Sequence, residues 1–375
     1  MIEKILTRLK ILLLFMCACV YAEAQESMFT FTDAGKTITG LTEDGTAAES
    51  LTIPLAVTKV NSGAFQDGLN GTKKLKTLIV EDGGNPVFEG ALFGKRSSTL
   101  TTIKTGSGMS SANIKALLTS LETGSSLKYL EMEGYTDADP DDDWTDMSAI
   151  LTSSVTVRMP AALVANQVFG EAALEGRFYI SKELISFCGN ATFIDDDDGS
   201  NMLFYVATGI ESGRIKIQRV QYIRKGRGVL IHRTASSEGT CYLPRYTGTI
   251  PTAVTTLYSQ NMLVGVKSAT DITATDGDYT NLILSDGAFH PASGEGSLGA
   301  NKAYLQVPTA SLSSLSAEAP LMIDFEEETT GIGAVLNDKG EMINDKWFTL
   351  QGVKLEGMPT EKGIYINGGR KVVIM

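Results

Sequence analysis

The chain has 375 residues, with 32 Lys and Arg against 44 Asp and Glu, for a formal net charge of −12. Such an acidic surface repels phosphate backbones and argues against nucleic-acid binding, while 43% apolar and 20% charged residues describe a globular protein. The length suggests two or three domains.

At the N-terminus, Lys4, Arg8 and Lys10 precede an apolar run from Ile11 to Val20, and Ala22-Glu-Ala24 supplies small residues for cleavage before Gln25. Residues 1–24 therefore read as a signal peptide, because the apolar run is far shorter than the roughly 20 residues a membrane-spanning helix needs. Lipidation at Cys17 or Cys19 is the alternative processing route. Export places the mature chain outside the cytoplasm, as a secreted or cell-surface protein.

Next come five short apolar segments centred on Leu51, Leu78, Ile103, Leu130 and Val157, at steps of 27, 25, 27 and 27 residues. Steps of that size mark a solenoid. Leu75-Lys-Thr-Leu78-Ile-Val80, Leu100-Thr-Thr-Ile103-Lys-Thr105 and Leu127-Lys-Tyr-Leu130-Glu-Met132 approximate L-x-x-L-x-L, a strand with its leucines inward. Two of the returning segments read as helical, one capped by Ser110 or Ser111, the other by Asp143 or Thr145 and running from Met147 to Leu151. The outward positions form two files, Thr77, Thr102, Tyr129 and Thr156 in one and Ile79, Lys104, Glu131 and Arg158 in the other.

The stretch Gly35-Lys-Thr-Ile38-Thr-Gly40-Leu41, with Ser50-Leu-Thr-Ile-Pro54 and Val57-Thr-Lys-Val60-Asn-Ser-Gly63-Ala-Phe65, resembles the opening unit of BspA-like leucine-rich repeat surface proteins, whose signature is LTIPxxVTxIGxxAF. The resemblance covers roughly residues 30 to 180, and the later copies are degenerate. It implies a secreted or surface-attached protein that works by adhesion or protein contacts.

From about Phe187 the pattern changes to short alternating runs, with strands expected at Leu203–Thr208, Ile215–Val220, Gly228–His232, Asn261–Val266, Leu282–Leu284 and Ala303–Val307. Turn pairs such as Ser212-Gly213 and Asp286-Gly287 separate them, and this spacing reads as an antiparallel β-sandwich. Segments such as Phe204-Tyr-Val-Ala-Thr-Gly209 and Asn261-Met-Leu-Val-Gly265 resemble a β-rich module found after repeat domains in Gram-negative surface proteins. The last block, Trp347 to Met375, reads as a hairpin or small sheet. Through Gly363, Tyr365 and Lys371 it also resembles the C-terminal sorting tails of type IX secretion.

Motifs that would carry chemistry do not survive inspection. Gly294-Glu-Gly296-Ser-Leu-Gly299 matches a dinucleotide fingerprint but leads into a strand instead of opening a helix. The two histidines, His232 and His290, read as packing and turn residues, which leaves no base for a nucleophile. Acidic runs at 137–143 and 195–201 lack the spacing of a calcium loop, so Asp139, Asp141, Asp195 and Asp197 read as solvated positions, with calcium as the alternative. Cys188 and Cys241 are either a disulfide or two buried thiols.

The expected organisation is mainly β with minor α. Residues 1–24 form a signal peptide, 25–185 a degenerate leucine-rich repeat solenoid, 186–320 a β-sandwich, and 321–375 a linker and C-terminal β tail. The expected function is non-catalytic recognition of a host or microbial surface macromolecule, protein or glycan, through the repeat sheet, with no cofactor and no metal. Thr77, Ile79, Thr102, Lys104, Tyr129, Glu131, Thr156 and Arg158 are the candidate contacts. The alternative is a glycan-binding or glycan-processing protein with its site on the sandwich.

Overall fold

A computed structural model describes residues 27–66, 74–93, 99–121, 125–132, 135, 144–195, 201–234, 239–293, 297–312, 320–325, 347–349, 354–355, 363–367 and 370–374. Strands are numbered in chain order. A first sheet joins β1 (Phe29–Thr32), β2 (Thr37–Leu41), β4 (Lys59–Val60) and β6 (Val87–Phe88). A second holds β3 (Ser50–Ile53), β5 (Thr77–Val80), β7 (Thr102–Lys104), β8 (Tyr129–Glu131), β9 (Thr156–Pro160), β10 (Ala173–Ile180) and β17 (Gly239–Pro244).

In the second sheet, six strands run parallel from β3 to β10. Their registers place Leu51, Leu78, Ile103, Leu130, Val157 and Leu174 side by side, all buried. Period-two alternation explains this, since the residue between two outward neighbours must face inward. Behind the strands, the tilted rings of Phe65 and Phe93 lie 5.3 Å apart and Trp144 stacks on Phe169 at 4.8 Å. The returns differ from one another. Helix α1 (Glu43–Ala47) is five residues long, whereas α2 (Ser111–Thr119) runs nine and buries Ile114, Leu117 and Leu118. Ser110 caps α2, its Oγ accepting from Asn113 N at 3.3 Å. The second expected helix is a three-residue 3-10 turn at Thr145–Met147.

The third sheet contains β11 (Leu184–Phe187), β13 (Met202–Glu211), β14 (Arg214–Arg219), β16 (Val229–Arg233), β18 (Leu263–Val266), β20 (Thr275–Asp276), β21 (Tyr279–Ser285), β22 (Ala288–Pro291), β24 (Lys302–Pro308) and β25 (Leu321–Asp324). All six expected strand positions in this half are occupied. The β13–β14 and β21–β22 hairpins turn on Ser212-Gly213 and Asp286-Gly287, each pair with two positive φ angles, the backbone that tight hairpins demand. Two small pairings, β12 (Phe193–Ile194) with β15 (Tyr222–Ile223) and β19 (Thr270–Asp271) with β23 (Ser297–Leu298), flank it, and α3 (Thr252–Ser259) precedes β18. In the tail, β26 (Trp347–Thr349), β27 (Lys354–Leu355), β28 (Gly363–Asn367) and β29 (Arg370–Ile374) form their own antiparallel sheet.

The expected leucine-rich repeat solenoid followed by an antiparallel β-sandwich is corrected here. The mainly β content holds, but the molecule is built of several sheets, one of them nearly closed and barrel-like, and it is not clearly a leucine-rich repeat solenoid. Even spacing of apolar residues puts strands beside one another but says nothing about what the intervening chain does. Here it yields dissimilar returns, a separate first sheet and an antiparallel end strand, β17, on β10. The sandwich fails for a different reason: the strands of the third sheet join edge to edge along one hydrogen-bonded path, so a single curled sheet encloses Leu230, Phe289, Leu305 and Val307. The core containing Leu51 and Leu130 continues through Phe178, Phe193 and Phe204. Among the described residues no helix is long and apolar enough to cross a membrane.

Candidate binding face

The solvent side of the parallel ladder carries both expected files in register. Thr77, Thr102, Tyr129 and Thr156 are mutual neighbours in one, and Ile79, Lys104, Glu131 and Arg158 in the other. The eight candidate contacts therefore share one face. They are not equally available. Seven are half-buried, and Glu131 is only 7% exposed.

Adjacent strands carry alternating charges across this face. Lys104 Nζ lies 2.5 Å from Glu131 Oε2, Arg158 Nη1 donates to Glu131 Oε1 at 3.3 Å, and Arg158 Nε donates to Glu175 Oε2 at 2.8 Å. Burial opposes the charge on Arg158, but the hydrogen bond and charge of Glu175, and then the charge of Glu131, outweigh it and hold the guanidinium above its ordinary pKa. The Arg158 guanidinium also sits 4.3 Å from the Tyr129 ring and 4.4 Å from the Tyr242 ring, a cation between two aromatic rings. Tyr129 and Arg158, two of the candidate contacts, are thus engaged with each other and with Glu131, Glu175 and Tyr242.

Four residues that sequence reasoning missed extend the patch: Glu175, Arg177 and Tyr179 on β10, and Tyr242 on β17. Arg177 and Tyr242 are cross-strand partners, and the Arg177 guanidinium lies 5.6 Å from the Tyr179 ring. Tyr179 is 50% exposed, among the most exposed large apolar residues described. The alternation in Leu174-Glu-Gly-Arg-Phe-Tyr-Ile180 is a strand pattern, so β10 was findable, although its 17-residue step from Val157 breaks the period. Tyr242 had no local signal, since it arrives from a distant segment. Beside Tyr129 an open depression of about 340 Å³ is lined by Ser126, Lys128, Ser154 and Thr156.

The remaining sequence candidates lie elsewhere. Cys188 and Cys241 are not joined in a disulfide. Cys188 is buried, and that burial raises its pKa against the opposing charge of Lys267. Asp195 is buried, its backbone N–H donating to Gln221 O at 2.7 Å, while Asp139, Asp141 and Asp197 lie outside the described residues. His232 packs its ring 4.5 Å from Phe325, and His290 is paired opposite Ile283 in the β21–β22 hairpin. No family model matches the chain, and no curated protein or solved structure is significantly similar to it.

Proposed function

We propose that this protein is a non-catalytic binding protein, secreted or displayed at the cell surface, that recognises a host or microbial surface macromolecule through the outward face of its parallel ladder. The observation that carries this reading is one face on which Tyr129, Arg158, Tyr242, Arg177 and Tyr179 converge. Tyrosine and arginine are the residue types that dominate binding hot spots, and a face already ordered by ion pairs loses little side-chain entropy on contact. The leader-like pattern of residues 1–24 and the surface-protein signature near residues 50–65 support the location, and both are sequence arguments.

The test uses the full mature chain on an array of extracellular-matrix proteins and bacterial surface polysaccharides. The variants Tyr179→Ala and Thr102→Gln change the face while adding no charge beside the Lys104–Glu131–Arg158–Glu175 row. An affinity loss of about tenfold for the captured ligand, with unchanged circular dichroism and thermal midpoint, is expected. Full binding by the double variant would remove this face from consideration.

A further inference from the structure

This acidic chain carries one basic island. Residues 212–237 hold seven Lys or Arg and no Asp or Glu, in a protein whose formal net charge is −12. Three of the seven lie in Arg224-Lys225-Gly226-Arg227, the turn between β15 and β16. Arg227 N donates to Arg224 O at 3.1 Å to close that turn, and Gly226 takes the φ of +70° that its third position requires. Lys267, just after β18, adds a fourth cation: its side chain lies over Gly226, where a methyl group would stand 3.1 Å from Cε and 3.3 Å from Nζ. Beside them, the Arg224 guanidinium sits 5.5 Å from the Tyr258 ring, and Lys225 Nζ donates to Asn166 Oδ1 at 3.3 Å.

None of these four cations makes an ion pair with a described residue. The segments that meet the turn explain why. Residues 161–170 around Asn166, 184–194 around Gly189 and Thr192, and 246–266 around Tyr258 and Gly265 contain no Asp or Glu. In the β12–β15 pair, Asp195 lies at the Gln221 end, away from the turn. At physiological ionic strength charges beyond about 8 Å are largely screened, so this local excess governs contact here, and the net charge of the chain does not.

The backbone of the turn is already committed. Arg224 N donates to Tyr258 Oη at 3.2 Å, Lys225 N to Thr192 Oγ1 at 3.1 Å and Gly226 N to Gly189 O at 2.9 Å. The turn therefore offers no nest of amides to a single phosphate and no strand edge to a peptide. It presents side-chain cations alone, which suits a ligand whose negative charges repeat densely along a chain.

We infer that the Arg224–Arg227 turn, with Lys267, docks a sulfated polysaccharide. The site does not depend on the role of the ladder face. Surface plasmon resonance of the full chain over heparin, polyglutamate and phosphatidylserine vesicles, in about 0.15 M salt, tests it. Saturable binding to heparin is expected, tighter than to either of the others. Lys225→Gln, Arg227→Gln and Lys267→Gln together, all at exposed positions, should weaken it about tenfold with an unchanged thermal midpoint. Lys225→Arg with Lys267→Arg keeps the charge and should keep the binding. Lys36→Gln, Lys128→Gln and Lys182→Gln together remove the same charge from exposed positions elsewhere and should leave the affinity within about twofold. Absence of saturable heparin binding, equal losses in the two triple variants, or tighter binding to polyglutamate or to the vesicles would overturn the inference.

Discussion

The parallel ladder and the barrel-like sheet solve the problem of unpaired strand edges differently. The ladder adds parallel strands one after another and ends by borrowing the antiparallel β17 from a distant segment, whereas the third sheet curls until β11 nearly reaches β24. Covering an edge with a borrowed strand brings residues of remote origin onto one face, as Tyr242 joins Tyr129 and Arg158. Incomplete closure instead leaves a cavity. One region therefore presents an outward strand face and the other a concave pocket.

The sharpest test of that contrast is whether the regions unfold as one. Phe289→Ala in the barrel core is expected to cost about 3–5 kcal/mol, and Leu130→Ala in the ladder about 2–5 kcal/mol. Because the core that holds Leu130 continues through Phe193 and Phe204, both variants should shift a single urea transition. Two separate transitions would show that the ladder and the barrel are independent folding units.

A smaller effect is expected on the ladder face itself. Arg158→Ala leaves Glu131, which is buried, with Lys104 as its remaining charged neighbour and separates the Tyr129 and Tyr242 rings, so a loss of about 1–3 kcal/mol is expected. Arg158→Lys keeps the charge but not the planar fork, and should recover only part of it. If both variants match the parent in denaturant midpoint, the alternating charges contribute nothing.

Alkaline pH probes the seam between α3 and β15. The Tyr258 hydroxyl donates to Tyr222 O at 2.7 Å and accepts from Arg224 N at 3.2 Å. Burial raises its pKa, against the hydrogen bond from Arg224 and the charges of Arg224 and Arg227. A pKa raised on folding means that the stabilisation is complete below the unfolded phenol value of about 10 and is lost as pH rises from there toward the folded value. Tyr258→Phe should cost about 1 kcal/mol at neutral pH and flatten the stability decline above pH 10. A parent and variant with parallel stability curves in that range would place the alkaline sensitivity elsewhere.

Much of this architecture was legible in local pattern. Period-two alternation located the strands around Leu78, Ile103 and Leu130 and those of the barrel-like sheet, and Ser212-Gly213 and Asp286-Gly287 marked two of its hairpins. Both outward files could be named in advance, because strand alternation fixes which residues share a side once the inward ones are known. The charge network was less accessible. Lys104, Glu131 and Arg158 were visible as outward residues, yet nothing in their spacing revealed that Glu175 would complete the row or that Tyr242 would close over Arg158.

By itself, the order of residues determined the strand segments, their inward and outward sides, and the shared register of Leu51, Leu78, Ile103, Leu130 and Val157. Tertiary structure alone decided how the segments were assembled: dissimilar returns instead of a uniform solenoid, and one curled sheet instead of two facing layers. The reason is physical. Alternation is a local property of one strand, whereas edge pairing and sheet closure depend on hydrogen bonds between segments far apart in the chain, and no local pattern records which edges will meet.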